Sequence, residues 1–190
     1  MKFSKLLTSA AVAAMLSGFL YGASFEVDIE HSSVGFKIKH LMISNVKGYF
    51  SKFSGTYDLD NGILKSLNGT IEAVSIDTGI EKRDNHLRSP DFLEVEKYPQ
   101  ITFKMTSLKD GDEVSGDLTI HGVTKSVTLE AEISDAIKDP MGNTRNGISL
   151  EGKIKRSDFG LTWNKALEAG GVVVGDEVKI SIELEGIEKK

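Results

Sequence analysis

Apolar residues return at every second position along most of this chain, and that period restricts the fold more than any other feature. Phe25, Val27 and Ile29 alternate with Glu26, Asp28 and Glu30; Val34, Phe36 and Ile38 alternate with Gly35, Lys37 and Lys39. The same rhythm carries Ile101, Phe103 and Met105, then Val114, Gly116, Leu118 and Ile120. Val127, Leu129, Ala131 and Ile133 follow it, as do Ile148, Leu150 and Ile154, and finally Val178, Ile180, Ile182 and Leu184. A period of two gives a strand one dry and one wet face, the mark of antiparallel sheet. Turn signals stand between the runs at Asp60-Asn61-Gly62, Lys109-Asp110-Gly111-Asp112, His121-Gly122 and Asp139-Pro140-Met141-Gly142-Asn143. The pattern predicts about eight hairpin-linked strands, and closing them into a barrel removes the hazard of open edges. Phe50 and Phe53 fall on opposite parities, so a bulge or bend near Gly48 or Gly55 is expected to turn both rings inward.

One segment departs from the rhythm. Thr78-Gly79-Ile80-Glu81 reads as a capping box, with Thr78 as N-cap and Glu81 reaching back. Ile80, Arg83 or Asp84, and Leu87 then share a helix face that ends before Pro90. Ser89-Pro90-Asp91 can cap a second short turn carrying Phe92, Leu93 and Val95. A helical insertion over roughly 79–97 is therefore expected, its apolar side covering one end of the barrel.

The length of 190 residues fits one domain, and 39% apolar with 27% charged residues fits a globular one. At the N-terminus, Lys2 and Lys5 precede an uncharged stretch from Leu6 to Leu20 and the small residues Gly22, Ala23 and Ser24. That is the order of a cleaved secretory signal, too short to span a bilayer. Residues 1–23 are read as this signal and 24–190 as the single domain, which places the mature protein in the periplasm. With no cysteine, disulfides, thiolate metal sites, a lipidated N-terminus and cysteine nucleophiles are all excluded. A net charge of −5 speaks against nucleic acid as a partner.

Catalytic signatures are missing. The chain holds no G-x-S-x-G, and His31, His40, His86 and His121 do not pair at metal-ligand spacing. Neither a catalytic residue nor a metal ligand is assigned. Gly170, Gly171 and Gly175 bracket three valines without phosphate-cradle spacing and read as a hairpin or lip. Lys82, Arg83, His86 and Arg88 form a cationic cluster. It is either a solvated helix face or a recognition site for an anionic head group. Arg156 and Asp158 are a candidate internal ion pair at a strand end. Within the barrel, Gly69, Ala73, Gly116, Ala131 and Gly152 point inward and leave volume, among the aromatics Phe36, Phe50, Phe53 and Phe103. On these residues alone, a filled core and a ligand cavity both remain open, since an eight-stranded barrel permits either.

Several motifs together resemble the YceI family of secreted, lipocalin-like proteins. They are Asp28–His40, Val46–Phe50, Ser75–Thr78, Arg83–Phe92, Tyr98–Phe103, Gly116–Thr124 and Arg156–Gly160, which run in order through the mature chain; Leu93 stands where a second aromatic is common. The resemblance implies an eight-stranded antiparallel lipocalin-like barrel around a long apolar tunnel. The ligand it implies is an isoprenoid, such as a polyprenyl phosphate or quinone-like lipid, or a fatty amphiphile, bound without a further cofactor. Tail contacts are then expected from Phe36, Ile38, Phe50, Phe53, Ile71 and Ala73, and from Phe92, Phe103, Leu118, Leu129 and Ala131. Head-group contacts are expected from Arg83, His86 and Arg88. The expected protein is a non-enzymatic carrier or sequestering protein, monomer or homodimer, in transient contact with a membrane. Two rival classes are an enzyme acting on a lipid head group through His86 or His121, and a small outer-membrane barrel. The second would require the Lys- and Glu-rich wet face to line a lumen.

Overall fold

The computed structural model describes residues 22–168 and 170–190; the signal reading, up to Tyr21, lies outside the described residues. The strands are β1 (Ala23–Val27), β2 (Ser33–His40), β3 (Ser44–Phe50), β4 (Phe53–Asp60), β5 (Ile63–Glu72) and β6 (Ile76–Asp77). After the helix α1 (Glu81–Arg88) come β7 (Gln100–Lys109), β8 (Glu113–Ile120), β9 (Val123–Ile133), β10 (Ile137–Lys138), β11 (Thr144–Lys155) and β12 (Val174–Glu188). All pairings are antiparallel, and β11 meets β12 to close the ring.

Three of the barrel's staves are bent strand pairs. β12 takes β1 along Gly186–Glu188 and β2 along Val174–Glu183, on the same edge. β3 and β4 form the next stave, and β5 with β6 the one after. With β7, β8, β9, β11 and β12 this makes eight staves around a closed barrel, with one short helix, as the alternation implied. The bends fall at Asp28–Ser32, at Ser51–Lys52 and at the 3₁₀ turn Ala73–Ser75. Ser75 joins two of them: its carbonyl accepts from the Ser51 N–H and its Oγ from the Lys52 N–H, at 3.2 and 3.1 Å. The parity change between Phe50 and Phe53 is thus made by Ser51 and Lys52 leaving the ladder, not by a bulge at Gly48 or Gly55. Ile29 lies in the first bend and is exposed, so the alternation of β1 stops at Val27.

Two hydrophobic clusters lie at different ends. One gathers Phe25, Val27, Tyr57, Leu59, Leu64, Val114 and Ile148 near the β4–β5 turn. Phe25 and Tyr57 stack at 5.0 Å, and the Tyr57 hydroxyl donates to the Asn146 carbonyl at 3.0 Å. Burial pushes that hydroxyl's pKa up. The same end is tied by Arg145, which donates to Asp28, Asp139 and Glu185. The other cluster joins Ala73, Ile76, Ile101, Leu118 and Ile120 to Leu93, Val95, Phe159 and Leu161 from the connections.

The helical insertion exists, but Thr78 and Glu81 do not form a capping box. Gly79, at φ +78°, turns the chain first, so Ile80 becomes the N-cap without a side-chain bond and Glu81 the first helical residue. Thr78 is held instead by the buried Asp84, whose carboxylate accepts from the Thr78 N–H and hydroxyl at 3.0 and 2.5 Å. After Ser89 the chain continues in turns, with Phe92, Leu93 and Val95 buried against the barrel end.

Candidate functional site

The inward faces of the staves do not meet at the helical end. They enclose an apolar cavity of about 370 Å³, within the range of small-molecule sites. On β12 alone Val174, Val178, Ile180, Ile182 and Leu184 face it, a run of about 33 Å at the usual strand rise. Phe36, Ile38, Phe50, Phe53, Ile71, Phe92, Phe103, Leu118 and Leu129 all lie in its wall.

Ala73 and Ala131 do not, and their assignment to the tunnel is corrected. Ala73 sits in the 3₁₀ turn, its N–H donating to the Pro99 carbonyl at 2.9 Å, within the cluster beneath the insertion. Ala131 pairs across from Leu150 at the filled end. The small residues also differ in what they leave open. The Phe103 ring occupies the space over Gly116, and Leu129 the space over Gly152. At Gly69 an added Cβ would find only the Ser54 carbonyl, 3.9 Å away, so this glycine does contribute open volume.

Every ionisable residue that borders the cavity is basic: Lys39, whose side chain is exposed, His40, Arg83, His86 and Arg156; no aspartate or glutamate lines it among the described residues. The Arg83 Nε donates to the Thr78 hydroxyl and its Nη2 to the Thr78 carbonyl, at 2.7 and 2.8 Å. None of the described hydrogen bonds uses its Nη1. The His86 Nε2 lies 2.8 Å from Asp91 Oδ2, and its ring packs edge-on against Phe92 and Trp163 at 5.0 and 4.9 Å. Arg88 is outside the wall. Its nitrogens donate to the Val74 and Ile76 carbonyls and to Asn85 Oδ1, which fastens α1 to the β5–β6 bend. The head-group set read from the sequence is therefore split: Arg83 and His86 are brought together at the cavity, and Arg88 is structural.

Arg156 forms no ion pair with Asp158. It is buried and donates to the carbonyls of Leu161, Gly175 and Val174, because the chain between β11 and β12 folds back over it. Desolvation lowers its pKa. Of the residues bordering the cavity, His40 reads in the sequence only as a histidine without a metal-ligand partner, Lys39 only as a wet-face residue, and Trp163 carries no motif. Trp163, the single tryptophan, lies in a connection without periodic pattern, where only its uniqueness marks it. His121 lies outside the wall, on the β8–β9 turn, with its Nε2 3.4 Å from Glu94 and its ring against Tyr98. A carboxylate near an imidazole therefore occurs at both histidines and does not by itself separate binding from catalysis. Asp28, His31 and Glu185 also lie together, but Asp28 and Glu185 there pair with the Arg145 guanidinium at the filled end.

Residues 25–186 match the family model of the YceI-like domain. The whole chain is 42% identical over 197 residues to Protein YceI of Escherichia coli O157:H7, covering 100% of both. Among solved structures, the Campylobacter jejuni YCEI protein is 40% identical with a TM-score of 0.69, over 80% of this chain and 90% of that one. A polyisoprenoid binding domain from Saccharophagus degradans shares the fold at 18% identity, with a TM-score of 0.66 over 87% of this chain and 98% of that one.

Proposed function

The chain belongs to the YceI family, and from that premise we propose that it binds a long isoprenoid or similar amphiphile. The tail occupies the cavity and an anionic head lies at the helical end. The observation that carries this reading is the cavity itself, apolar along its length and basic wherever it is ionisable. Each buried methylene contributes about 0.8 kcal/mol, so on the order of twenty give about 16 kcal/mol. That exceeds most values of the roughly 4–15 kcal/mol that association costs. A neutral quinone would make little use of Arg83 and His86, whereas a phosphate or carboxylate would pair with them. The name of the Saccharophagus degradans domain, alike in fold, agrees with an isoprenoid tail. The protein acts as a carrier or sequestering protein rather than an enzyme, with no further cofactor. Lys2, Lys5 and the apolar stretch after them support export to the periplasm.

Native mass spectrometry of the purified protein, incubated with a polyprenyl phosphate, should show a one-to-one complex. Gly69→Phe, which fills the open volume, should reduce that complex at least tenfold while the thermal unfolding temperature stays near the parent's. Absence of any lipid adduct in the parent protein, or undiminished uptake by Gly69→Phe, would overturn the reading.

A further inference from the structure

The β2–β3 hairpin ends on Leu41-Met42-Ile43, three consecutive apolar residues that are 37%, 53% and 81% exposed. A run of this kind on a surface is unfavourable unless something covers it. Leu41 and Met42 also hold φ values of +50° and +63°, a left-handed conformation uncommon for bulky side chains. The other tight turns give one such position to glycine, at Gly62, Gly111 and Gly122, as hairpins usually do. Here the chain accepts local strain and keeps apolar side chains at the tip.

The tip is fastened to the rim of the cavity. The Leu41 N–H donates to the Val173 carbonyl at 2.8 Å, and Val173, Val174, Lys39 and His40 all line the cavity. Behind the tip, on the outward face, Lys153, Lys179, Lys37 and Lys47 are direct cross-strand partners on β11, β12, β2 and β3. This ladder is about 14 Å wide and about 10 Å from the last pair of the hairpin, His40 and Ser44. Like charges placed opposite one another destabilise a sheet, so folding does not account for four in a row. Among the described residues only Lys153 of the four has a carboxylate within ion-pair distance, Glu177 at 3.5 Å. The row Glu151, Glu130 and Glu113 lies one step farther from the tip, so the charge changes sign along the barrel.

We propose that the β2–β3 hairpin docks the protein on an anionic lipid bilayer. Leu41, Met42 and Ile43 enter the interface, the lysine ladder faces the lipid phosphates, and the cavity rim is held at the membrane. Apolar insertion combined with basic side chains is the chemistry of interfacial membrane binding. Docking stands on the hairpin and the ladder alone and goes beyond the binding of a ligand in the cavity, so either can fail without the other.

Cosedimentation of the full protein with ligand-free vesicles tests it. Vesicles of equal parts phosphatidylglycerol and phosphatidylcholine should retain the protein, less so at high salt, and phosphatidylcholine alone should retain little. Met42→Ser with Ile43→Ser should lower the partition about tenfold or more. Lys47→Gln and Lys179→Gln should each lower it about fivefold and weaken the salt dependence. Because these residues are exposed and the lysines repel one another, the thermal unfolding temperature should not fall in any variant, which separates lost docking from lost fold. Failure of the parent protein to bind anionic vesicles, or unchanged partition in both sets of variants, overturns the proposal. So does concentration-dependent self-association that Ile43→Ser abolishes, since it would assign the tip to a second copy of the chain.

Discussion

At the end of the barrel near the β4–β5 turn, the Phe25 and Tyr57 rings stack, and Leu64, Val114 and Ile148 leave almost no surface accessible. At the other end Phe36, Phe50, Ile71 and Leu118 line the cavity, the Phe36 and Phe50 rings 5.9 Å apart, under a roof of α1 and the turns after it. Both ends are built from the same alternating strands. What differs is how the inner side chains fit. Tyr57 can lie across the filled end because residue 186 is glycine: an added Cβ there would overlap its hydroxyl. At the hollow end the large side chains lie back over glycines in their own wall. Phe36 covers Gly48 and Phe103 covers Gly116, so the rings line the cavity instead of crossing it. In this barrel glycine creates a plug at one end and a channel at the other.

The sharpest way to break the comparison is to remove the plug. Tyr57→Ala should cost about 3–5 kcal/mol in urea unfolding, and Phe50→Ala, in a wall that already borders open space, less than half as much. Similar losses at the two positions would mean that the ends are packed alike. Gly186→Ala should come next, at about 1–3 kcal/mol, because its new methyl group overlaps a ring locked by stacking and a hydrogen bond. Lipid uptake should be unaffected in that variant.

The smallest effect concerns acid. Hydrogen bonds from Arg145 and then His31 hold the Asp28 carboxyl down to about 2, and Arg145 with Asn143 holds Asp139 well below the usual range. Between the ordinary carboxylate value and these lowered ones, the unfolded chain binds more protons than the folded one. The stabilisation from these groups is therefore full above about pH 4 and lost as the pH falls toward about 2. Asp139→Asn should flatten the dependence of the unfolding temperature across that window. An unchanged slope would mean that the Arg145 cluster does not govern acid stability.

Much of this fold is legible in the sequence because one physical variable, which side of a strand is dry, repeats every second residue from β2 to β12. Turn residues then mark the hairpins at Asn61-Gly62 and His121-Gly122, both with positive φ. The cavity is less legible. Whether a small residue such as Gly116 leaves a void depends on the ring beside it on β7, and alternation does not encode that neighbour. For the same reason Ala73 and Ala131 read as open positions although each is enclosed by its cluster. Trp163 and the role of Arg156 are not legible because both depend on the irregular connection between β11 and β12, where no period operates. The ladder of lysines is invisible until register is known, since its four members are spread from residue 37 to residue 179.

β12 follows every other strand in the chain, yet it is the partner of β1, β2 and β11. A nascent polypeptide therefore leaves the ribosome as an open ribbon, and its first strand waits for residues 186–188 before it is flanked on both sides. Such long-range closure is slow compared with local hairpin formation. Until those residues are made, β1 has only β4 beside it and the ring stays open.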